Sequence, residues 1–199
     1  IIIMIKDFKK IRLFSFIASI IIIFLISNID NAAKKRVVDE TINQMGLKSE
    51  KKYIFSVVHE GHYVSAYKMF LDNKILGIGV RNFRNFCNED KYKINNRSCT
   101  THPHNTYVQL LSETGLIGFI FGISVFIFFI IISLKHLLGV ITKNKYLFND
   151  FEICLLSAIL ISLWPLVPTG NFLNNWVAIV YYFPVGFLFW SLNTRNINK

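Results

Sequence analysis

Four apolar runs divide this chain, and each approaches the roughly 20 mostly apolar residues that cross a bilayer as a helix. They cover Ile11 to Asn28, Leu116 to Leu138, Phe151 to Val167 and Asn175 to Leu192. No charged residue lies between Ile153 and Thr194. The break inside that stretch is carried by Pro165, Pro168, Gly170 and Asn174-Asn175. Proline removes a helix donor and glycine relaxes the backbone, so the spacing predicts a tight helical hairpin there. The long polar segment from Ile29 to Glu113 contains one periodic stretch. Tyr63, Ala66, Tyr67, Phe70 and Leu71 recur at helical spacing, and Asp72-Asn73 end it. That predicts a helix lying on the membrane surface or packed on the spans. Leu76-Gly77-Ile78-Gly79-Val80 then reads as a glycine-relaxed turn, too short and wrongly spaced for a dinucleotide fingerprint.

The pattern makes the chain an all-α integral membrane protein with about four transmembrane helices and one large extracytoplasmic loop. Composition agrees. Of its 199 residues 53% are hydrophobic and 17% charged, and mean hydropathy is +0.43. The opening Ile1 to Ile5, followed by Lys6-Asp7-Phe8-Lys9-Lys10, reads as the tail of an earlier span and its loop. A cleaved signal peptide fits less well, because no small-residue cleavage site follows the run from Leu13. The net charge of +10 comes without a nucleic-acid recognition motif, so it is read as basic flanks that orient the spans. Lys6, Lys9, Lys10 and Arg12 precede the first span, Lys135, Lys143 and Lys145 follow the second, and Arg195 and Lys199 follow the fourth. All three groups fall on one side, which predicts that side to be cytoplasmic and the segment 29–113 to face outward.

An outward loop sits in an oxidising compartment. Cys87 and Cys99 are therefore expected to form a disulfide, worth about 3 kcal/mol by loop entropy. A metal site lacks paired C-x-x-C spacing and is the weaker reading. Cys154 falls within a span. His59-Glu60-Gly61-His62 invites comparison with zinc peptidases, but its histidines are three apart rather than four. His62 remains a candidate for lining a site.

The chemistry concentrates in His102-Pro103-His104-Asn105, just before the second span. Histidine titrates near neutrality and suits general-base work, so His104 and His102 are both candidate bases. Asn105 is placed to cap the following helix, whose positive end would favour a pyrophosphate. Arg81 and Arg84 supply planar, permanently charged forks for a diphosphate, and Lys68 on the surface helix is within reach of phosphate. Glu113 lies about two helical turns beyond Asn105, where it would orient a histidine or bind an acceptor hydroxyl; pairing with a nearby Lys or Arg is the alternative.

Three pieces of the chain resemble the O-antigen ligase and polymerase family. They are Ala66-Tyr67-Lys68-Met69-Phe70-Leu71-Asp72-Asn73 leading into Gly77-Ile78-Gly79 and Phe83; His104-Asn105-Thr106-Tyr107 through Glu113-Thr114-Gly115-Leu116-Ile117-Gly118; and the following span with its polar-tipped hairpin. Together they cover about Tyr63 to Leu192. The resemblance implies the C-terminal part of a longer protein, similar in fold to C-type glycosyltransferases, in the bacterial inner membrane with its loop in the periplasm. It implies metal-independent transfer, without a cofactor, of a glycan from a polyprenyl-diphosphate carrier. The acceptor would be a sugar hydroxyl on lipid A-core for a ligase, or on another repeat unit for a polymerase. His104 would be the base and nearby arginines would hold the diphosphate. A non-catalytic subunit or transporter is the rival reading. It predicts charges buried inside the spans, which are nearly free of them.

Overall fold

The computed structural model describes the whole chain except residues 1–3, 8, 30, 47–52, 144 and 198–199. The expectation for Ile1 to Ile5 therefore lies largely outside the described residues. Those residues are helical and contain no strand. In order they form α1 (Lys9–Ile29), α2 (Asn31–Lys34), a π-helical turn (Lys35–Asp39), α3 (Glu40–Gln44), α4 (Val57–Asp72), α5 (Phe83–Phe86), α6 (Thr106–Lys143), α7 (Asp150–Ser162) and α8 (Asn175–Ile197).

Among the described residues, α6 and α8 are the helices that are long and apolar enough to cross a membrane. α1 is 21 residues long, about 30 Å at the helical rise. Its successive positions Ile22, Ile23, Phe24 and Leu25 are all exposed, a surface suited to lipid rather than water. The third expected span is different. α7 has only 13 residues, so it reaches about 20 Å against a hydrocarbon core of about 30 Å. It stops at Ser162, and the chain then runs through turns to Asn174 instead of making a tight hairpin.

That shortfall frees a segment to return over the polar loop. Pro165 is bonded through its carbonyl to Asn105 Nδ2 at 2.7 Å. The Tyr107 hydroxyl donates to the Leu163 carbonyl at 2.7 Å. Thr169 N–H donates to the His104 carbonyl at 2.9 Å. Pro165 and Pro168 lack amide donors, so this stretch makes its bonds with carbonyls and side chains.

α6 is interrupted. Gly115 has φ 65° and ψ −159°, a region essentially restricted to glycine. The helix from Thr106 to Thr114 is thereby separated from the membrane-crossing part that starts at Leu116. The interruption falls one residue before the expected start of the second span, and the His-Asn loop joins the longer helical part through this extra segment. A break leaves backbone groups unpaired. The turn after α4 pairs them: Ile78 N–H donates to Ser112 O and Gly79 N–H to Glu113 O, each at 3.0 Å, while Leu116 N–H donates to Lys74 O at 2.8 Å. Gly77, at φ +68°, lies against the Glu113–Thr114 peptide, where a Cβ would collide.

Two separate cores result. Ala66, Met69, Phe83, Cys87 and Tyr92 are buried in the loop. Phe129, Ile153, Leu156, Ile159 and Leu188 are buried among α6, α7 and α8. The helix expected from Tyr63 to Leu71 is α4, capped at its start by Ser56 and ended by Asn73. Its faces divide otherwise than expected: His62, Ser65, Ala66 and Met69 are buried, while Val64, Tyr67 and Leu71 point outward. Cys87 and Cys99 are joined as a disulfide, with Cα atoms 5.0 Å apart. At the far end, Glu152 is fully buried and paired with Arg195 at 2.9 Å. His136 there accepts from Leu147 N–H and Phe148 N–H through Nδ1 and donates through Nε2 to the Met4 carbonyl.

Replacing Gly115 by alanine sets a side chain against the Ile75 carbonyl. It also demands a backbone conformation that costs of order 1–3 kcal/mol on its own. The variant is expected to lower the thermal unfolding midpoint measured in detergent, and Gly77→Ala is expected to do the same. An unchanged midpoint would show that the break is not under this constraint.

Candidate functional site

Four histidines converge where α4 meets the loop before α6. The His104 ring centroid lies 4.2 Å from that of His102, 5.4 Å from His62 and 5.7 Å from His59. Two come from α4. The Ser56 side chain accepts from His59 N–H, and its hydroxyl is also bonded to His59 Nδ1 at 3.0 Å. Gly61 lets the segment around Ser98 pack onto α4, since a Cβ there would meet Asn95 Nδ2 at 3.1 Å. That approach brings the Arg97 carbonyl to His62, whose Nε2–H donates to it at 2.9 Å. The disulfide holds both ends of the segment that carries Arg97.

His102 and His104 separate cleanly in what they are bonded to. The Thr101 hydroxyl lies 2.9 Å from His102 Nδ1, and His102 Nε2–H donates to the Thr169 carbonyl at 3.3 Å. A carbonyl can only accept, so the proton of neutral His102 is on Nε2 and both ring nitrogens are occupied. Both ring nitrogens of His102 are engaged in holding the loop. The His104 imidazole takes part in no hydrogen bond among the described residues, and it is only half-buried. Its backbone sits at φ 59°, one of two non-glycine residues with positive φ among those described, Arg81 being the other. The strain is held by Thr169 on the His104 carbonyl and by the locked Asn105 that follows.

Electrostatics keep this ring neutral. Burial, then the neighbouring His102, His62 and His59, push the His104 pKa down to about 4. Burial also lowers the other three. Arg84 adds to the lowering at His102, although its side chain is exposed and makes no hydrogen bond or ion pair among the described residues. Arg81 is likewise exposed, with no hydrogen bond or ion pair among the described residues. Lys68 is half-exposed on α4 and likewise unpaired.

Two further expected site residues, Asn105 and Glu113, are buried and hydrogen-bonded within the protein. Asn105 is 4% exposed. Its Oδ1 accepts from Tyr107 N–H and Val108 N–H, at 3.0 and 3.1 Å, while Nδ2 donates to Pro165. It caps the helix as expected, but in doing so it takes the amides that were to face a diphosphate. Glu113 is 1% exposed. Its Oε1 accepts from Phe83 N–H at 3.1 Å and its Oε2 from Gln109 Nε2 at 2.9 Å. Gln109 also donates to Asn171 Oδ1 at 2.7 Å and accepts from Phe172 N–H at 3.0 Å. Both carboxylate oxygens are spent joining the loop, α6 and the returning segment. The carboxylate also raises the proton affinity of His102 through its charge, against the larger lowering by burial.

Sequence reasoning missed Thr169, Gln109 and Asn171, and set His59 aside with the peptidase comparison. The available signal was a cluster of polar side chains, Thr169, Asn171 and Asn174, between two strongly apolar segments. Polar groups at that depth need internal partners. No group of three or more His, Cys, Asp or Glu side chains among the described residues is arranged to hold a metal ion. A cavity of about 670 Å³ opens between α6, α7 and α8, with Thr106, Tyr107, Leu110, Phe128, Tyr181 and Phe189 in its wall; none of the four histidines lines it.

Glu113→Gln tests the network. The amide of Gln109 cannot turn over, because its Oε1 serves Phe172 N–H. The new amide nitrogen at position 113 would therefore face either Gln109 Nε2 or Phe83 N–H, both donors. We expect a loss of about 1–3 kcal/mol, read as a lowered midpoint of thermal unfolding. Wild-type stability in this near-isosteric variant would refute the donor and acceptor assignment.

A family model described as O-antigen ligase matches residues 1–123. The matched stretch includes all four histidines, Arg84 and the break at Gly115. A search of curated proteins finds no match.

Proposed function

This chain belongs to the O-antigen ligase family of bacterial membrane glycosyltransferase-like enzymes, and from that premise we propose that His104 is the base of a glycan transfer. The donor is a glycan on a polyprenyl-diphosphate carrier in the cytoplasmic membrane. The acceptor is a sugar hydroxyl on lipid A-core, and the site faces the periplasm. The observation that carries the reading is His104 itself. Its ring is kept neutral by burial and by the neighbouring histidines, makes no hydrogen bond among the described residues, and is carried on a strained backbone.

The chemistry needs little else. His104 takes the proton of the acceptor hydroxyl as the oxygen attacks the anomeric carbon. The bond from that carbon to the diphosphate oxygen breaks, and its electron pair leaves with the diphosphate. Arg84 offsets the charge that develops there. The apolar cavity between α6, α7 and α8 suits the first isoprene units of the carrier. Attack opposite the leaving group inverts the anomeric centre and requires no metal.

His104→Ala in the full-length protein is expected to lower transfer by about 10²–10⁴-fold, the usual share of general-base catalysis, at normal expression. Full activity would end the assignment. His102→Ala should cost less in rate and more in stability, since its ring bonds two backbone-anchored groups. Deleting the complete gene and running lipopolysaccharide gels checks the acceptor. Carrier-linked polymer that never reaches the core means ligase, whereas core bearing one repeat means polymerase.

The pH profile follows from the lowered pKa values. A base that protonates near 4 stays competent through neutrality, so the acid limb of the rate should fall only toward about 4 rather than near 6.5. Stability follows the same sign. In the unfolded chain these histidines protonate near 6.5, and in the folded chain they resist it. The stabilisation is complete above about 6.5 and is lost as pH falls toward the folded values. A rate that already halves at about 6.5 would contradict the environment described for His104.

A further inference from the structure

We infer that the outward face of α4, with the turn that follows it, is seated in the bilayer surface of the leaflet where α6 enters. The observation is a second apolar stripe on a helix whose first apolar face is already buried. Val64, Tyr67 and Leu71 stand at i, i+3 and i+7, and are 45%, 52% and 44% exposed. The stripe continues beyond the helix through Ile75 at 66%, Leu76 at 72% and Val80 at 54%. Isolated exposed leucines need no explanation, but a contiguous row on one face does.

What covers it is argued from continuity. The Lys74 carbonyl accepts from Leu116 N–H at 2.8 Å, and the Ile75 carbonyl lies against Gly115. The tip of the stripe is thus bonded to the first residue of the membrane-crossing part of α6. There the exposed apolar belt of that helix begins, with Leu116, Ile117, Ile120 and Phe121 all exposed. The Lys74–Leu116 bond thus sets the end of the stripe, at Ile75 and Leu76, beside the start of that belt. Lipid that wets Ile117 must also meet Leu76, unless protein covers both. Tyr67 carries a polar tip on an apolar ring, the side chain favoured at this depth. Lys68 and Lys74 adjoin the stripe in sequence, and neither is in an ion pair among the described residues; lysines at such an edge snorkel to headgroups.

The consequence for the site is its height. His62 lies on the opposite, buried face of the same helix, in ring contact with His104. Seating α4 in the interface fixes the histidine cluster within about one helix diameter, 10–12 Å, of the lipid surface, the depth at which a carrier's diphosphate emerges. The inference stands whether or not His104 is the base.

Site-directed spin labelling tests it on the full-length protein. Cys154, which is free, is first replaced by serine, while the Cys87–Cys99 pair is kept. Single cysteines are then placed by Tyr67→Cys, Leu71→Cys and Leu76→Cys, with Lys93→Cys on the exposed loop as control. After reconstitution in phosphatidylethanolamine–phosphatidylglycerol vesicles, collision with oxygen and with a water-soluble nickel complex is measured. We expect the ratio of oxygen to nickel collisions at positions 67, 71 and 76 to exceed that at 93 by several-fold. Nickel collisions as frequent as at 93 would overturn the inference in favour of an aqueous face. Protection from both reagents would overturn it in favour of cover by protein, whether another part of the chain or a second copy. Leu76 lies in a turn with no helix to disrupt, so its label reports even if those in α4 perturb folding.

Discussion

Everything in this structure hangs on a helix that stops and restarts at one residue. Gly115 breaks α6 where an aqueous site has to meet a membrane span. A break at that depth leaves carbonyls and an amide with no water to satisfy them. The turn from Lys74 to Gly79 supplies three backbone bonds, and Gly77 lets it approach closely enough to do so. Because the turn is the continuation of α4, the same contact fixes α4, and with it His59 and His62, relative to the segment that follows His104. One local backbone conformation thereby sets the mutual distances of four side chains that come from two separate stretches of sequence.

A second tie works through side chains. Glu113, Gln109 and Asn171 form a buried chain of hydrogen bonds from Phe83 in the loop to Phe172 in the returning segment. Both carboxylate oxygens of Glu113 and both amide atoms of Gln109 have partners, and a satisfied buried network rigidifies a structure. The chain brings the 163–174 segment back over the His-Asn loop, where the Thr169 carbonyl accepts from the His102 ring and its N–H donates to the His104 carbonyl. α7 is short because the residues that would have completed a span are used for this return.

The long apolar helices and α4 were legible because each is a local property. Periodicity marks α4, and length with composition marks α6 and α8. The cap at Asn105 and the end of α4 at Asn73 follow from side chains acting on their own neighbours. What was not legible depends on partners far along the chain. Nothing local distinguishes His102 from His104; the difference is that Thr169, sixty-seven residues away, occupies one and not the other. Glu113 reads as a reactive carboxylate until Phe83 N–H and Gln109 are found on its oxygens. The proline-rich break after α7 reads as a hairpin until its carbonyls find Asn105 and Tyr107.

The division between the two histidines has a physical logic. A base must be free to exchange its proton, and a freely rotating ring is poorly aimed. His104 leaves its ring unbonded and gains its direction from the backbone instead, through a strained φ clamped on both sides. His102 does the reverse, giving up both nitrogens to hold the loop. Bulky rings at 4.2 Å from one another then lower the proton affinity of the free one, so the scaffold that positions His104 also tunes it. A substitution at His102 therefore acts on aim and affinity together, which is why the two histidines should differ in kind when each is removed.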